Sequence, residues 1–127
     1  SNIPSYTEFE LWANTALHNH NEEAELCIRI VDENESAALN YKYRHKNKPT
    51  NVLSFPCDLP PDIPINYIGD IIICAPIVNK EDLTWAHITI HGILHLLGYD
   101  HIQEQDAVIM ENLERTMLQT LEKQDNE

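Results

Sequence analysis

A chain of 127 residues, 43% of them apolar, is long enough for one domain that buries about two-thirds of its unfolded surface. Its formal net charge of −13 argues against nucleic-acid binding driven by bulk charge, and no apolar run reaches the ~18 residues of a membrane span, so no membrane partner is expected. No secretory leader opens the chain, and three cysteines (Cys27, Cys57, Cys74) without a Cys-x-x-Cys pair suit reduced, mostly buried thiols in a reducing cytoplasm.

Ser1 stands in place of an initiator methionine, as at a trimmed or tag-derived start. Ser5-Tyr6-Thr7-Glu8 has capping-box spacing, and Phe9, Trp12, Ala13, Ala16 and Leu17 recur at helical intervals, which predicts a helix over 5–19. His18 and His20 fall at its carbonyl end, where the dipole favours a cation, and receive no chemical role. Residues 25–31 alternate in period two, with Leu26, Ile28 and Ile30 on one face, as in a strand. Asn34 is placed to cap a helix over 35–43 that turns Ala38, Leu39 and Tyr43 inward. After a turn at Pro49-Thr50-Asn51 comes a short strand, 52–55, and then a loop over 56–66 with four prolines. Tyr67 to Cys74 is nearly continuously apolar, a strand covered on both faces, with Cys74 a small core residue and Pro76 its end. Thr84 caps a helix over 85–97, and Met110, Leu113, Met117 and Leu121 stripe a last helix over 104–121. Helices between and after short strands imply an α/β layer fold without repeats or linkers.

His91, His95 and His101 stand at i, i+4 and i+10 around Gly98. On a helix the first two lie one above the other, about 6 Å apart along the axis. Gly98 suits the left-handed residue that ends a helix, after which three residues can return His101 to the same ion. Three buried imidazoles without a common partner would each bear a desolvation cost, whereas three on one zinc leave the fourth tetrahedral position for water. The same spacing occurs in metzincin proteases, but they carry glutamate directly after the first histidine, and here that position is Gly92. Without that base a phosphodiester suits the site better than a peptide. A metal-bound hydroxide can attack while an arginine holds the phosphate bidentately. Arg44, beside Thr50 and Asn51, is the candidate clamp. Lys42, Arg44, Lys46 and Lys48, four of the eight basic residues, lie within seven positions, either as phosphate contacts for single-stranded nucleic acid or as a solvated turn.

Tyr43-Arg44, Lys48-Pro49-Thr50-Asn51-Val52-Leu53-Ser54-Phe55-Pro56, Gly69-Asp70-Ile71 and His91 through His101 resemble, in order, the successive motifs of the YbeY family. The match runs from about residue 24 to 121. Its members are bacterial endoribonucleases of ribosomal RNA maturation, associated with the 3′ end of small-subunit rRNA and with ribosome quality control. The resemblance implies an α/β (α+β-like) fold with a four-stranded mixed sheet, about five helices, and a metal site on a central helix and the turn after it. It also implies one Zn2+ per chain on His91, His95 and His101, with Arg44 as the arginine needed for activity. The expected partners are single-stranded or ribosomal RNA, the small ribosomal subunit and assembly factors, with no DNA. The whole chain, 1–127, is then a single metallohydrolase domain, and the family location is cytoplasmic. Two departures stand out. Members usually have a strand before the first helix, where this chain begins, and a longer helical segment than Ala75 to Thr84 before the histidine helix. Because a parallel crossover normally needs at least about a dozen residues, segments before residue 1 or near 75–84 are expected to be missing.

Several further side chains have two readings. His87, one turn before His91, is a partner of a ligand or a packed, half-exposed histidine. Asp70 orients a ligand histidine or serves a cap or turn, and Asp100, adjacent to His101, can equally fix the turn there by bonding its own backbone. Tyr99 is expected to pack, and His45 and Lys46 to contact RNA or simply face solvent. Two alternatives to the nuclease remain: a metalloprotease-like hydrolase of another bond, and a non-catalytic ribosome-assembly factor with structural zinc.

Overall fold

The computed structural model describes residues 3–18, 24–57, 66–81, 84–99 and 103–125. In chain order these form α1 (Tyr6–Leu17), β1 (Glu25–Val31), α2 (Glu33–Arg44), β2 (Val52–Pro56), β3 (Tyr67–Cys74), α3 (Ala75–Lys80), α4 (Trp85–Leu96) and α5 (Glu104–Asp125). The architecture is α+β with five helices and a mixed sheet of order β1-β3-β2. β1 runs parallel to β3, with Ile28 opposite Ile71, and β2 runs antiparallel to it, with Ser54 opposite Ile71. The described sheet therefore has three strands and not four. The expected fourth belonged ahead of the first helix, and residues 3–5 lead directly into α1.

β3 is central, and its side chains alternate between two cores. Ile71 and Ile73 join the larger core with Ile88, Ile90, Ile93 and Leu94 of α4, and with α1 and α5. Ile72 and Cys74 face the other way, against Val31 and Leu53, with Leu39 of α2 and Ile77 of α3 packed on them. This is why the strand reads as a continuous apolar run. No parallel strand follows β3 among the described residues. The stretch after it is thus no crossover, and the dozen-residue minimum does not bear on it. Instead Pro76, at the start of α3, accommodates the first helical turn, and the chain passes soon to α4.

The caps explain most of the boundaries. Ser5 and Glu8 form the reciprocal capping box, with Glu8 N–H donating to Ser5 Oγ at 3.2 Å and Ser5 N–H to Glu8 Oε1 at 3.1 Å. Thr84 Oγ1 accepts from His87 N–H at 3.1 Å and starts α4 as expected. For α2 the cap is Asp32, not Asn34: its Oδ1 accepts from Glu35 N–H at 2.8 Å, so the helix begins two residues earlier than predicted. Cys74 is buried, Cys57 is half-buried, and Cys27 is exposed on β1, which corrects the expectation of mostly buried thiols only there.

Candidate functional site

The helix carrying the histidines is held between the sheet and two helices. Gly92 lets it approach: a Cβ there would stand 3.1 Å from Ile71 Cγ2 and 3.3 Å from Ser54 Oγ. Ser54 Oγ–H instead donates to the Gly92 carbonyl at 3.0 Å. Position 92 thus faces the sheet, while His91 and His95, one turn apart, share another face. Their rings meet edge to face with centroids 4.7 Å apart, and their Nε2 atoms are separated by 3.1 Å. The helix ends as its glycine predicts. Gly98 takes φ +104°, its N–H returns to the His95 carbonyl at 3.1 Å, and Tyr99 N–H returns to Leu94 at 3.0 Å. That bond pair is a Schellman closure, and it lays Tyr99 against the core as expected.

Behind the histidines lies a residue that the sequence reading passed over. Glu114 of α5 is only 7% exposed, and its carboxylate accepts from His91 Nδ1–H and from His87 Nε2–H, both at 2.7 Å. Burial pushes this carboxyl up, but the hydrogen bond and charge of His91, and then those of His87, outweigh it and hold its pKa below the ordinary value. An ionised acceptor on Nδ1–H fixes the His91 tautomer and directs its Nε2 toward His95. His87 is therefore a partner of the histidine that follows it, acting through the carboxylate. Asp70 does not have this role among the described residues; its Oδ1 accepts from the Tyr67 hydroxyl.

The arginine approaches from the other side of the cleft. Arg44 is the last residue of α2, on the same helix face as Ser36 and Asn40 at i, i+4 and i+8. Both of those side chains are buried and tie down the following loop. Ser36 Oγ donates to the Thr50 carbonyl and accepts Thr50 N–H, each at 3.0 Å, while Asn40 Nδ2 donates to the Lys48 carbonyl at 2.8 Å. The expected inward face of Ala38, Leu39 and Tyr43 is corrected accordingly. Leu39 packs inward, Ala38 is exposed, and Tyr43 is 54% exposed, because the neighbour of α2 here is a loop whose backbone groups need polar partners. Lys42, Arg44, His45, Lys46 and Lys48 are all exposed.

The two sides open on one cleft. A cavity of about 690 Å³ is lined by Tyr43, Arg44, Thr50, Asn51, His91 and His95 among others. A second, of about 630 Å³, continues from it past His87 and Glu114, with Asn51 and His91 common to both. Arg44, His91 and His95 are thus brought together as the sequence suggested. His101 and Asp100 lie outside the described residues, and among the described residues no three His, Cys, Asp or Glu side chains converge as a metal site.

An α+β scaffold that presents paired imidazoles, a buried carboxylate and a guanidinium along one cleft has the make-up of a hydrolytic site. Comparison with known proteins gives it a family. Residues 2–122 match the family model described as Endoribonuclease YbeY, and the chain belongs to that family. It is 49% identical over 130 residues to Endoribonuclease YbeY of Pseudomonas savastanoi pv. phaseolicola, covering 95% of this chain and 78% of that one. The solution structure of TM1509 from Thermotoga maritima superposes with a TM-score of 0.63 at 25% identity, over 94% of this chain and 84% of the other.

Proposed function

We infer that this chain is a zinc-dependent, single-strand-specific endoribonuclease of ribosomal RNA maturation, acting as a single domain in the cytoplasm with the small ribosomal subunit as its context. The observation that carries this is the imidazole pair, backed by Glu114 and opening into the cleft that Arg44 lines. Two nitrogens on one tetrahedral zinc, each at about 2.0–2.1 Å, stand about 3.3 Å apart, and the 3.1 Å between the Nε2 atoms fits that demand. His91 and His95 would hold the ion, with His101 as the third ligand. When bound, zinc supplies Lewis acidity and lowers the pKa of a water toward about 7.

The chain's own residues supply the rest. Arg44 grips the phosphate through two parallel N–H bonds, and its charge offsets the negative charge that builds on the phosphate oxygens during attack. Glu114 keeps His91 in the one tautomer that presents Nε2 to the cleft. Ser36 and Asn40 hold the loop that carries Thr50 and Asn51 against the arginine's helix. Gly92, pressed on the sheet, occupies the position directly after the first histidine where metzincin proteases carry their glutamate base.

Elemental analysis and cleavage of a single-stranded RNA test this together. About one zinc per chain is expected, with both metal and cleavage lost in His91→Ala, and kcat/KM lower by about 10²–10³-fold in Arg44→Ala. An Arg44→Ala protein that cuts at the wild-type rate rejects the clamp. A protein that binds zinc and rRNA but cuts nothing is an assembly factor instead.

A further inference from the structure

Large apolar side chains are exposed at several places on the molecule, including Tyr6, Tyr41, Tyr43 and Val108, but of these only Tyr43 lines the cleft shared by Arg44 and the histidines. Its ring is 54% exposed and is braced from the protein side by Phe55 of β2, with ring centroids 4.8 Å apart and planes inclined by 58°. The Lys42 ammonium stands 5.2 Å from the ring centroid, drawn to the electron-rich face, and Lys42 is itself exposed on a long flexible stem. An aromatic ring at the end of a helix, held half open against a strand residue and next to the Arg44 guanidinium, is costly to leave in water. The same three groups form the recurring platform for single-stranded nucleic acid: a ring for the base face and cations for the backbone.

We propose that Tyr43, braced by Phe55, is a nucleobase subsite, stacking one unpaired base of the RNA next to the phosphate held by Arg44. The inference rests on the endoribonuclease reading above and adds a binding group to it. Tyr43 and Arg44 are consecutive at the end of α2, so a base and its adjoining phosphate are gripped from one helical turn. When the base takes the ring face, Lys42 is released to a neighbouring phosphate. A duplex cannot offer an unstacked base to this ring, which selects single strands by shape and not by sequence. Every base has a π-face, so the subsite accepts all four.

The test uses the metal-loaded protein and a short oligoribonucleotide scanned with single abasic substitutions. Tyr43→Leu is expected to raise KM by about 5- to 150-fold with little change in kcat, and Tyr43→Phe to stay near wild type, because stacking needs the ring and not the hydroxyl. In the wild type one abasic position costs a similar factor, and in Tyr43→Leu that same position costs nothing further. Tyr43→Trp gives an independent signal: its emission is quenched on mixing with RNA beyond any quench of Trp12 and Trp85 seen in the wild type. Wild-type KM in Tyr43→Leu, or equal abasic penalties in both proteins, overturns the subsite. If the wild type itself cuts no RNA, the nuclease reading falls and the subsite with it, whereas cleavage by the wild type matched by Tyr43→Leu removes the subsite alone.

Discussion

The two margins of the cleft are built by opposite means. The histidine margin is embedded in the core: α4 buries its own Ile88, Ile90, Ile93 and Leu94, and a carboxylate 7% exposed, 23 residues beyond His91, reaches the imidazoles from α5. The arginine margin is a surface turn, whose cations are all exposed and whose shape comes from two buried polar side chains, Ser36 and Asn40, bonding loop carbonyls. The proposed metal would demand ligand atoms fixed to within a fraction of an ångström, and packed helices supply that. A flexible polyanion demands charge that water can reach, and a turn stapled from beneath supplies that. The contrast says that rigidity at this site comes from apolar packing on one side and from satisfied backbone groups on the other.

The histidine margin is most sensitive at Glu114. Glu114→Gln keeps the volume but replaces an acceptor-only carboxylate by an amide, one end of which donates. It can accept from one of His87 and His91 while opposing the other. Zinc affinity, measured by competition with a chelator, is expected to fall about 10–100-fold, in line with the loss of other ligand-orienting carboxylates. Arg44 and its loop are untouched, so RNA binding at saturating zinc should hold. Unchanged zinc affinity would mean that packing alone orients the imidazoles and that the carboxylate is incidental.

A smaller effect is expected across the cleft. Asn40→Ala leaves the Lys48 carbonyl without its donor, a loss of about 1–3 kcal/mol, eased because the buried Asn40 Oδ1 has no partner among the described residues and also disappears. Urea unfolding should show a drop near the low end of that range. Cleavage by the folded fraction should fall while zinc content stays at the wild-type value, since the loop beside Arg44 loosens and α4 does not. Zinc loss in Asn40→Ala would show that the margins are one cooperative unit and not two.

What could be read in the sequence follows the same divide between local and distant causes. His91 and His95 were legible because their spacing is a property of a single helix, and the stop at Gly98 because a glycine after an apolar run has a local conformational meaning. Glu114 was not legible from α4, being a contact between two helices. Its signal lay in α5 itself, where a charged residue interrupts the stripe of Met110, Met117 and Leu121 at the very spacing that stripe keeps. Ser36 and Asn40 escape a reading in which apolar residues mark the inward face of α2, because that face covers a loop as well as a sheet. The four-stranded sheet came from resemblance and not from any strand pattern in the chain, and the three described strands are those whose alternation or apolar run was visible.

The remaining effects fall on stability alone and concern the helix ends, where each margin turns the chain through a left-handed residue. At α4 it is Gly98, φ +104°, and at α2 it is His45, φ +59°, the sole non-glycine with positive φ among the described residues. A Cβ at Gly98 would meet nothing within 4 Å, so Gly98→Ala carries a conformational cost without a clash, about 1–2 kcal/mol. Gly98→Asn should cost less, because asparagine enters that region more readily than alanine despite its greater size. The opposite order would mark a steric cause. His45→Gly should move stability the other way: it relieves a cost already present in the native turn, and the extra freedom of glycine in the unfolded chain returns part of the gain, leaving up to about 1 kcal/mol. Thermal unfolding of the three variants reads both signs in one experiment. If His45→Gly is destabilising instead, the imidazole must contribute more at the arginine margin than its backbone strain costs.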